Sequence, residues 1–320
     1  MAVVATGFFD GVHLGHRLVI DTLLRAAHER GEQSVVVTFW PHPRTVLQKD
    51  ARELRLLNSL QEKRAILSAL GVDRVEVVDF SREFRMLTAE QYLREWVIGR
   101  LGGTAIVLGY DNRMGSDGLQ HDAIVPLAQS LGLKVIECDA VIPSGTGDAA
   151  ARNAEGGTDF QTPTLRKQPD AAISSTKIRA ALERGEVEEA EAMLGYRYGL
   201  HGVVVAGNRL GRTLGYPTAN MLLYEPLKLV PANGVYLVEV ETLGGHYYGM
   251  TNIGVRPTVS GAGARTIETN IFDFDELIYG LDLRLRFISK IRDERRFDSL
   301  DGLKAQLEAD EALCRAMLSK

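Results

Sequence analysis

Apolar and polar positions follow two different rhythms along the 320 residues. In the first half, short runs that are almost continuously apolar recur at 3–5, 35–39, 75–78, 105–108 and 134–136. That is the pattern of parallel strands covered on both faces. Between them, around 15–29, 59–70, 88–100 and 122–131, apolar residues fall at helical spacing. Units of roughly 30 residues are the βαβ rhythm of a doubly wound sheet.

The stretch 143–170 breaks this rhythm. It is rich in Gly, Ala, Thr, Asp and Pro, has few apolar residues, and predicts a long mobile loop. Two short helices are expected near 174–184 and 186–194, with Gly185 between them. Beyond them the grammar changes. Residues 235–241 and 281–287 alternate with period two, as antiparallel strands with one wet face do. Gly244 and Gly245 suggest a hairpin, and Leu300, Leu303, Leu307, Leu313 and Met317 mark a terminal helix. The pattern therefore predicts two domains, 1–185 and 186–320. The first is α/β with a parallel sheet; the second is a β-sheet or barrel carrying a C-terminal helix.

Composition narrows the class. With 45% hydrophobic and 25% charged residues, the chain has the makeup of an ordinary globular protein. A formal charge of −5 disfavours a broad nucleic-acid-binding surface. Cys138 and Cys314 are too few and too far apart for a disulfide framework or a thiolate zinc site, which suits a reducing cytoplasm. No stretch approaches the ~18 consecutive apolar residues of a membrane span, and the first residues lack the regions of a signal peptide. Cytoplasmic residence without membrane or nucleic-acid partners is the expectation; association with further copies of the chain stays open.

Candidate chemistry begins directly after the first strand. Residues 6–16 read Thr-Gly-Phe-Phe-Asp-Gly-Val-His-Leu-Gly-His. Gly7, Gly11 and Gly15 let the backbone turn tightly and approach a ligand, and the following helix offers its positive end to an anion. His13 and His16 add two imidazole donors that could stabilise charge developing on an attacked phosphorus. The spacing is not a GxGxxG dinucleotide fingerprint, and two histidines without a clear third ligand are weak evidence for a metal. Downstream, residues 173–179 (Ile-Ser-Ser-Thr-Lys-Ile-Arg) open a helix with hydroxyls beside Lys177 and Arg179. Such groups suit a leaving pyrophosphate, although alone they read better as a helix cap with solvated basic residues. The two elements together resemble the nucleotidyltransferase superfamily.

In the other domain, residues 207–220 carry Gly207, Gly211 and Gly215 with Arg209 and Arg212, followed by Pro217, Thr218 and Asn220. The run lacks a Walker A ending, but Thr218 and Asn220 supply neutral oxygens suited to Mg²⁺ that keeps waters and phosphate ligands. Glu268, in the segment 265–275, is expected in a strand, with Ile267 and Thr269 pointing to the opposite face. A carboxylate there can orient a hydroxyl and take its proton during phosphoryl transfer.

These segments, in this order and over nearly the whole chain, resemble the prokaryotic bifunctional riboflavin kinase/FMN adenylyltransferase family. The resemblance also runs through residues 38–43, 234–236, 251–258 and 291–297. It implies a Rossmann-like adenylyltransferase domain followed by a Greek-key β-barrel flavokinase domain with a C-terminal helix. It implies ATP, riboflavin and FMN as substrates and Mg²⁺ as the cofactor: riboflavin becomes FMN in the second domain, and FMN becomes FAD with release of pyrophosphate in the first. Carried over residue by residue, His13 and His16 act at the α-phosphorus. Gly7, Phe9, Gly15, Asp111, Ser175, Thr176 and Arg179 bind ATP in the first domain. Gly207, Gly211, Arg212, Gly215 and Pro217 bind it in the second, with Thr218 and Asn220 on the metal. Glu268 is the base, and Asn252, Arg292 and Glu294 border the flavin.

The chain departs from the family pattern at Phe8, Trp40, Asn112 and Met114, and 144–170 resembles an insertion. The competing reading is a riboflavin kinase whose first domain has weakened. A class I aminoacyl-tRNA synthetase would need a basic tRNA-binding appendage, and a non-enzymatic flavin binder would not need Thr218, Asn220 and Glu268.

Overall fold

The computed structural model describes residues 1–42, 54–109, 112–138, 142–143, 165–166, 173–207, 210–256 and 264–319. It forms two compact units, Met1–Ser175 and Thr176–Lys320.

The first unit is built on five parallel strands: β1 (Ala2–Thr6), β2 (Gln33–Trp40), β3 (Arg74–Asp79), β4 (Gly103–Leu108) and β5 (Lys134–Glu137). Their order is β3-β2-β1-β4-β5. β1 is central, and its side chains explain the unbroken apolar run. Val3 and Ala5 pack against Ile20, Leu23 and Ala27 of α1 (Leu14–Arg30) and Leu67 of α2 (Leu60–Ala69). Val4 faces the other way, onto Val97 of α3 (Tyr92–Arg100) and Ile124 of α4 (His121–Ser130). Helices on both faces demand apolar side chains at every position of a central strand. A single turn, Ala89–Gln91, leads into α3, which is wound wider than an α-helix at its end: Leu101 N–H reaches Trp96 O, five residues back. The strand order reverses between β1 and β4, so the crevice at their carboxyl ends is where an open α/β sheet receives a ligand.

The expected loop at 143–170 lies almost wholly outside the described residues. Only the backbone pairing of Ile142–Pro143 with Leu165–Arg166 is described there.

From Thr176 on, α5 (Ser175–Arg184) belongs to the second unit, followed by α6 (Val187–Leu194). The units divide earlier than the boundary expected at 185/186 because the body of α5 packs with the second: Ala232 N–H donates to Leu182 O at 2.9 Å. Six antiparallel strands follow: β6 (Gly199–Val205), β7 (Ala219–Leu223), β8 (Gly234–Thr242), β9 (Gly245–Arg256), β10 (Ala264–Ile271) and β11 (Asp282–Arg292). They close into a barrel in the order β6-β7-β10-β9-β8-β11. Leu283, Leu285 and Phe287 are buried while Asp282 and Arg284 are exposed, as period-two alternation requires. Phe287 meets Tyr236 edge-on at 5.2 Å. One outer face is apolar too: Val235, Leu237, Met250 and Phe272 pack against Cys314 of the terminal helix α7 (Leu300–Leu318).

Candidate functional site

In the first unit the segment after β1 turns at the switch point under strain. Phe9 and Val12 have φ of 49° and 35°, beside Gly11 at 86°. A β-branched residue at positive φ is a backbone outlier, costing on the order of 1–3 kcal/mol, and it persists only where its surroundings fix it. Here they do. Asp10 is buried, and its carboxylate accepts the N–H groups of Leu57 and Asn58 at 3.1 and 3.2 Å. The Asp10 carbonyl accepts the hydroxyl of Ser175, the last residue of the first unit, at 2.9 Å.

The turn delivers two histidines to the N-terminus of α1. His13 caps the helix, its Nδ1 accepting His16 N–H at 3.3 Å. That bond leaves the His13 proton on Nε2. The two rings stack, centroids 3.7 Å apart and 15° from parallel, and Phe9 packs edge-on against His16. A Cβ on Gly15 would come within 3.2 Å of two His13 ring atoms, so the glycine between the histidines makes room for the first. Burial, then His13, then Lys63 hold the His16 pKa well below its usual 6.5. His16 is thus a neutral ring stacked on His13 at a helix N-terminus, able to offer a hydrogen bond to a phosphate oxygen without taking a proton.

In the barrel, strand register assembles residues distant in sequence. Asn220 on β7 faces Glu268 on β10, and Glu268 faces Asn252 on β9. Asn252 faces Val235 on β8, which in turn faces Arg292 on β11. Residues opposed across antiparallel strands project from one face, so the four polar residues form a row. Ile267 and Thr269 point the other way and are buried. At the ~4.8 Å spacing of strands, Glu268 is one step from Asn220 and three steps, about 14 Å, from Arg292.

Each end of the row is braced. A Cβ on Gly207 would lie 2.2 Å from Asn220 Nδ2, and one on Gly211 would lie 2.2 Å from the Tyr216 carbonyl. Both glycines are therefore needed for close approach, whereas Gly215 is needed for its φ of 85°. Pro217, Thr218, Ala219 and Thr269 line a cavity of about 210 Å³ closed by Phe274 and Tyr279. At the far end Arg292 Nε donates to both oxygens of the buried Asp310 carboxylate, at 3.0 and 2.9 Å, and Nη2 lies 2.8 Å from Oδ2. Glu294 accepts Asn233 Nδ2 at 2.9 Å, and it flanks Gly254 together with the Asn252 amide.

Two family profiles match the chain in tandem: FAD synthetase over residues 1–147 and riboflavin kinase over 194–318. The bifunctional riboflavin kinase/FMN adenylyltransferase of Listeria monocytogenes is 36% identical over 99% of this chain and 93% of its own. That of Escherichia coli K12 is 35% identical over 98% and 91%. The chain belongs to the bifunctional riboflavin kinase/FMN adenylyltransferase family. By that membership it is a transferase. A solved structure described as a macrolide-efflux protein from Streptococcus pneumoniae has the same fold, with a TM-score of 0.83 at 32% identity over 98% of this chain and 93% of that one. Among the described residues, no helix is long and apolar enough to cross a membrane.

Against the flavokinase and FAD synthetase expectations, the structure brings together Gly7, Phe9, His13, Gly15, His16 and Ser175 at one turn. It places Thr218 and Pro217 at the cavity and Asn220, Glu268, Asn252 and Arg292 in the row. Thr176 and Arg179 follow Ser175 on α5, exposed and half-buried respectively. Asp111 and Arg209, and the side chain of Arg212, lie outside the described residues. The departures have structural work of their own. Asn112 Oδ1 accepts Gly109 N–H at 2.7 Å, Met114 is buried in the core, and Phe8 packs between Phe39 and His42.

Sequence reasoning missed three polar residues behind the histidine turn. Asp10, Thr38 and Lys63 are each 3% exposed or less. Lys63 Nζ lies 3.3 Å from Thr38 Oγ1, whose own proton goes to the Phe8 carbonyl at 3.1 Å. Burial lowers the Lys63 pKa to about 8 against the opposing pull of Asp10. A signal existed: Lys63 stands between Leu60, Leu67 and Leu70 on the apolar stripe of α2.

Proposed function

We propose that the second unit transfers the γ-phosphoryl group of ATP to the terminal ribityl hydroxyl of riboflavin. The first unit then transfers the adenylyl group of a second ATP to the FMN so formed. The row Asn220–Glu268–Asn252–Val235–Arg292 carries this reading. It sets a candidate base one strand from a candidate metal ligand, with Asn252 and Arg292 following on the same face of the barrel wall.

In the kinase step, Glu268 accepts the proton of the attacking hydroxyl as its oxygen bonds to the γ-phosphorus and ADP departs. Thr218 and Asn220 hold a divalent cation, Mg²⁺, whose contribution is to neutralise the nucleotide phosphates. Their neutral oxygens fit an ion shared with phosphate, and among the described residues no cluster of three His, Cys, Asp or Glu side chains could cage one alone. Gly207, Gly211, Arg212, Gly215 and Pro217 receive the nucleotide; Asn252, Arg292 and Glu294 border the flavin. Most of the acceleration comes from positioning and charge neutralisation.

In the adenylyl step, a phosphate oxygen of FMN bonds to the α-phosphorus and pyrophosphate leaves. His13 and His16 donate to the oxygens on which charge grows, with Gly7, Phe9 and Gly15 shaping the turn. Asp111 contributes to nucleotide binding, while Ser175, Thr176 and Arg179 take the β- and γ-phosphates. The functional domains are 1–185 and 186–320, working in the cytoplasm on small molecules and on neither nucleic acid nor membrane.

Chromatographic separation of flavins after incubation with riboflavin, ATP and Mg²⁺ tests the reading. FMN followed by FAD is expected. FMN alone would leave a riboflavin kinase, and no conversion would defeat both assignments.

A further inference from the structure

Behind the histidine turn lies a buried polar relay that no ligand-facing role explains. Lys63 is 2% exposed, Thr38 is fully buried and Asp10 is 3% exposed. Lys63 Nζ reaches Thr38 Oγ1 at 3.3 Å, and the Thr38 hydroxyl donates to the Phe8 carbonyl at 3.1 Å. An ammonium group taken out of water costs several kcal/mol unless it is compensated. A Leu or Met would fill this position on the stripe of α2 without that cost. Placing a cation here therefore needs a return, and the geometry identifies it.

Phe8 precedes the strained Phe9, Asp10 follows it, and Val12 and His13 come next. The relay grips the turn just before Phe9, at the Phe8 carbonyl through Thr38. Just after Phe9, the Asp10 carboxylate takes the N–H groups of Leu57 and Asn58 from the segment leading into α2. These bonds fix the backbone from which the stacked histidines project. A turn holding two non-glycine residues at positive φ relaxes when its anchors are cut. The same cation also bears on His16 and favours its neutral form.

We propose that Lys63 is a positioning residue for adenylyl transfer, holding the His13–His16 pair in register through Thr38 and the Phe8 carbonyl. The inference rests on the assignment of adenylyl transfer to the first unit. It predicts a loss in the chemical step and not in nucleotide capture. Misplacing a reacting or stabilising group by about 1 Å costs on the order of 100-fold in rate.

The test uses the full chain, with FAD formation from supplied FMN as the readout and FMN formation from riboflavin as the internal control. Lys63→Met should lower kcat for FAD formation by about 10- to 100-fold, with KM for ATP changed by less than about 3-fold and the kinase unaffected. Since a buried-lysine variant can fail to fold, Thr38→Val and Thr38→Ser decide independently. Valine keeps the shape but removes the hydroxyl, and should lower kcat about 5- to 20-fold; serine keeps the hydroxyl and should stay within about 3-fold of wild type. Folded Thr38→Val with wild-type kcat, or Thr38→Ser as impaired as Thr38→Val, would overturn the proposal. Wild-type protein that makes no FAD from FMN would instead defeat the assignment of the step itself.

Discussion

Asn220 and Glu268 face each other across β7 and β10, although 47 residues separate them in the chain. One strand spacing is the right distance for a base and a metal-bound phosphate to share the reacting hydroxyl. Glu268→Gln keeps the size and the hydrogen bonds but removes the proton acceptor. It should lower FMN formation by about 100- to 10,000-fold and spare FAD formation from supplied FMN. Loss of both activities in a folded variant would contradict independent sites.

Gly207 gives a second handle on the same row. Alanine there drives a methyl group into the Asn220 amide, so Gly207→Ala should cut kcat/KM for riboflavin phosphorylation by about 10- to 100-fold. Steady-state kinetics at saturating and limiting ATP would show it. An unchanged value would mean that the Asn220 amide is free to move.

His16 carries the converse test. His16→Ala removes one donor from the histidine pair and should lower FAD output by about 100- to 1,000-fold, leaving FMN formation intact. Unchanged FAD formation would remove His16 from the adenylyl step.

The same residue predicts a pH dependence of stability. His16 stays neutral in the folded protein to well below 6.5, whereas in the unfolded chain it protonates near 6.5. Between those values the unfolded state binds more protons, so stability is full above pH 6.5 and falls as pH drops through it. Urea unfolding of wild type and His16→Gln at about pH 7.5 and 5.5 should show a smaller loss in the variant. Equal losses would place the pH dependence elsewhere.

Arg292 and Asp310 separate stability from ligand binding. Arg292→Met leaves a buried carboxylate unpaired and should destabilise the protein by about 3–5 kcal/mol. Adding Asp310→Leu should restore most of that loss, while KM for riboflavin stays raised if Arg292 borders the flavin. Full recovery of KM in the double variant would make the pair purely structural.

Much of this architecture was legible because burial leaves a periodic trace. β1 reads as continuously apolar since α1 and α3 cover its two faces, and β11 alternates because only one face is inside the barrel. The glycine-rich turn was readable for the same local reason: Gly15 must clear the ring of His13, two residues away. What the chain could not display is register. Glu268 was recognisable as a strand carboxylate, but that Asn252 and Arg292 share its row follows from pairings between strands far apart in sequence. The Lys63 relay was hidden similarly, joining residues 8, 38 and 63 across three elements.

The closure of the barrel by β6 against β11 gives the two halves different histories during synthesis. All five strands of the first unit have been made by residue 137; β2, β3 and β5 each pair with the strand made just before them, and β4 reaches back to β1. The second unit cannot close until residues 282–286 of β11 have joined residues 199–203 of β6, which left the ribosome about 80 residues earlier, a long loop to bring together. A chain halted before β11 would carry a finished first unit and an open sheet whose two edges seek partners in other molecules.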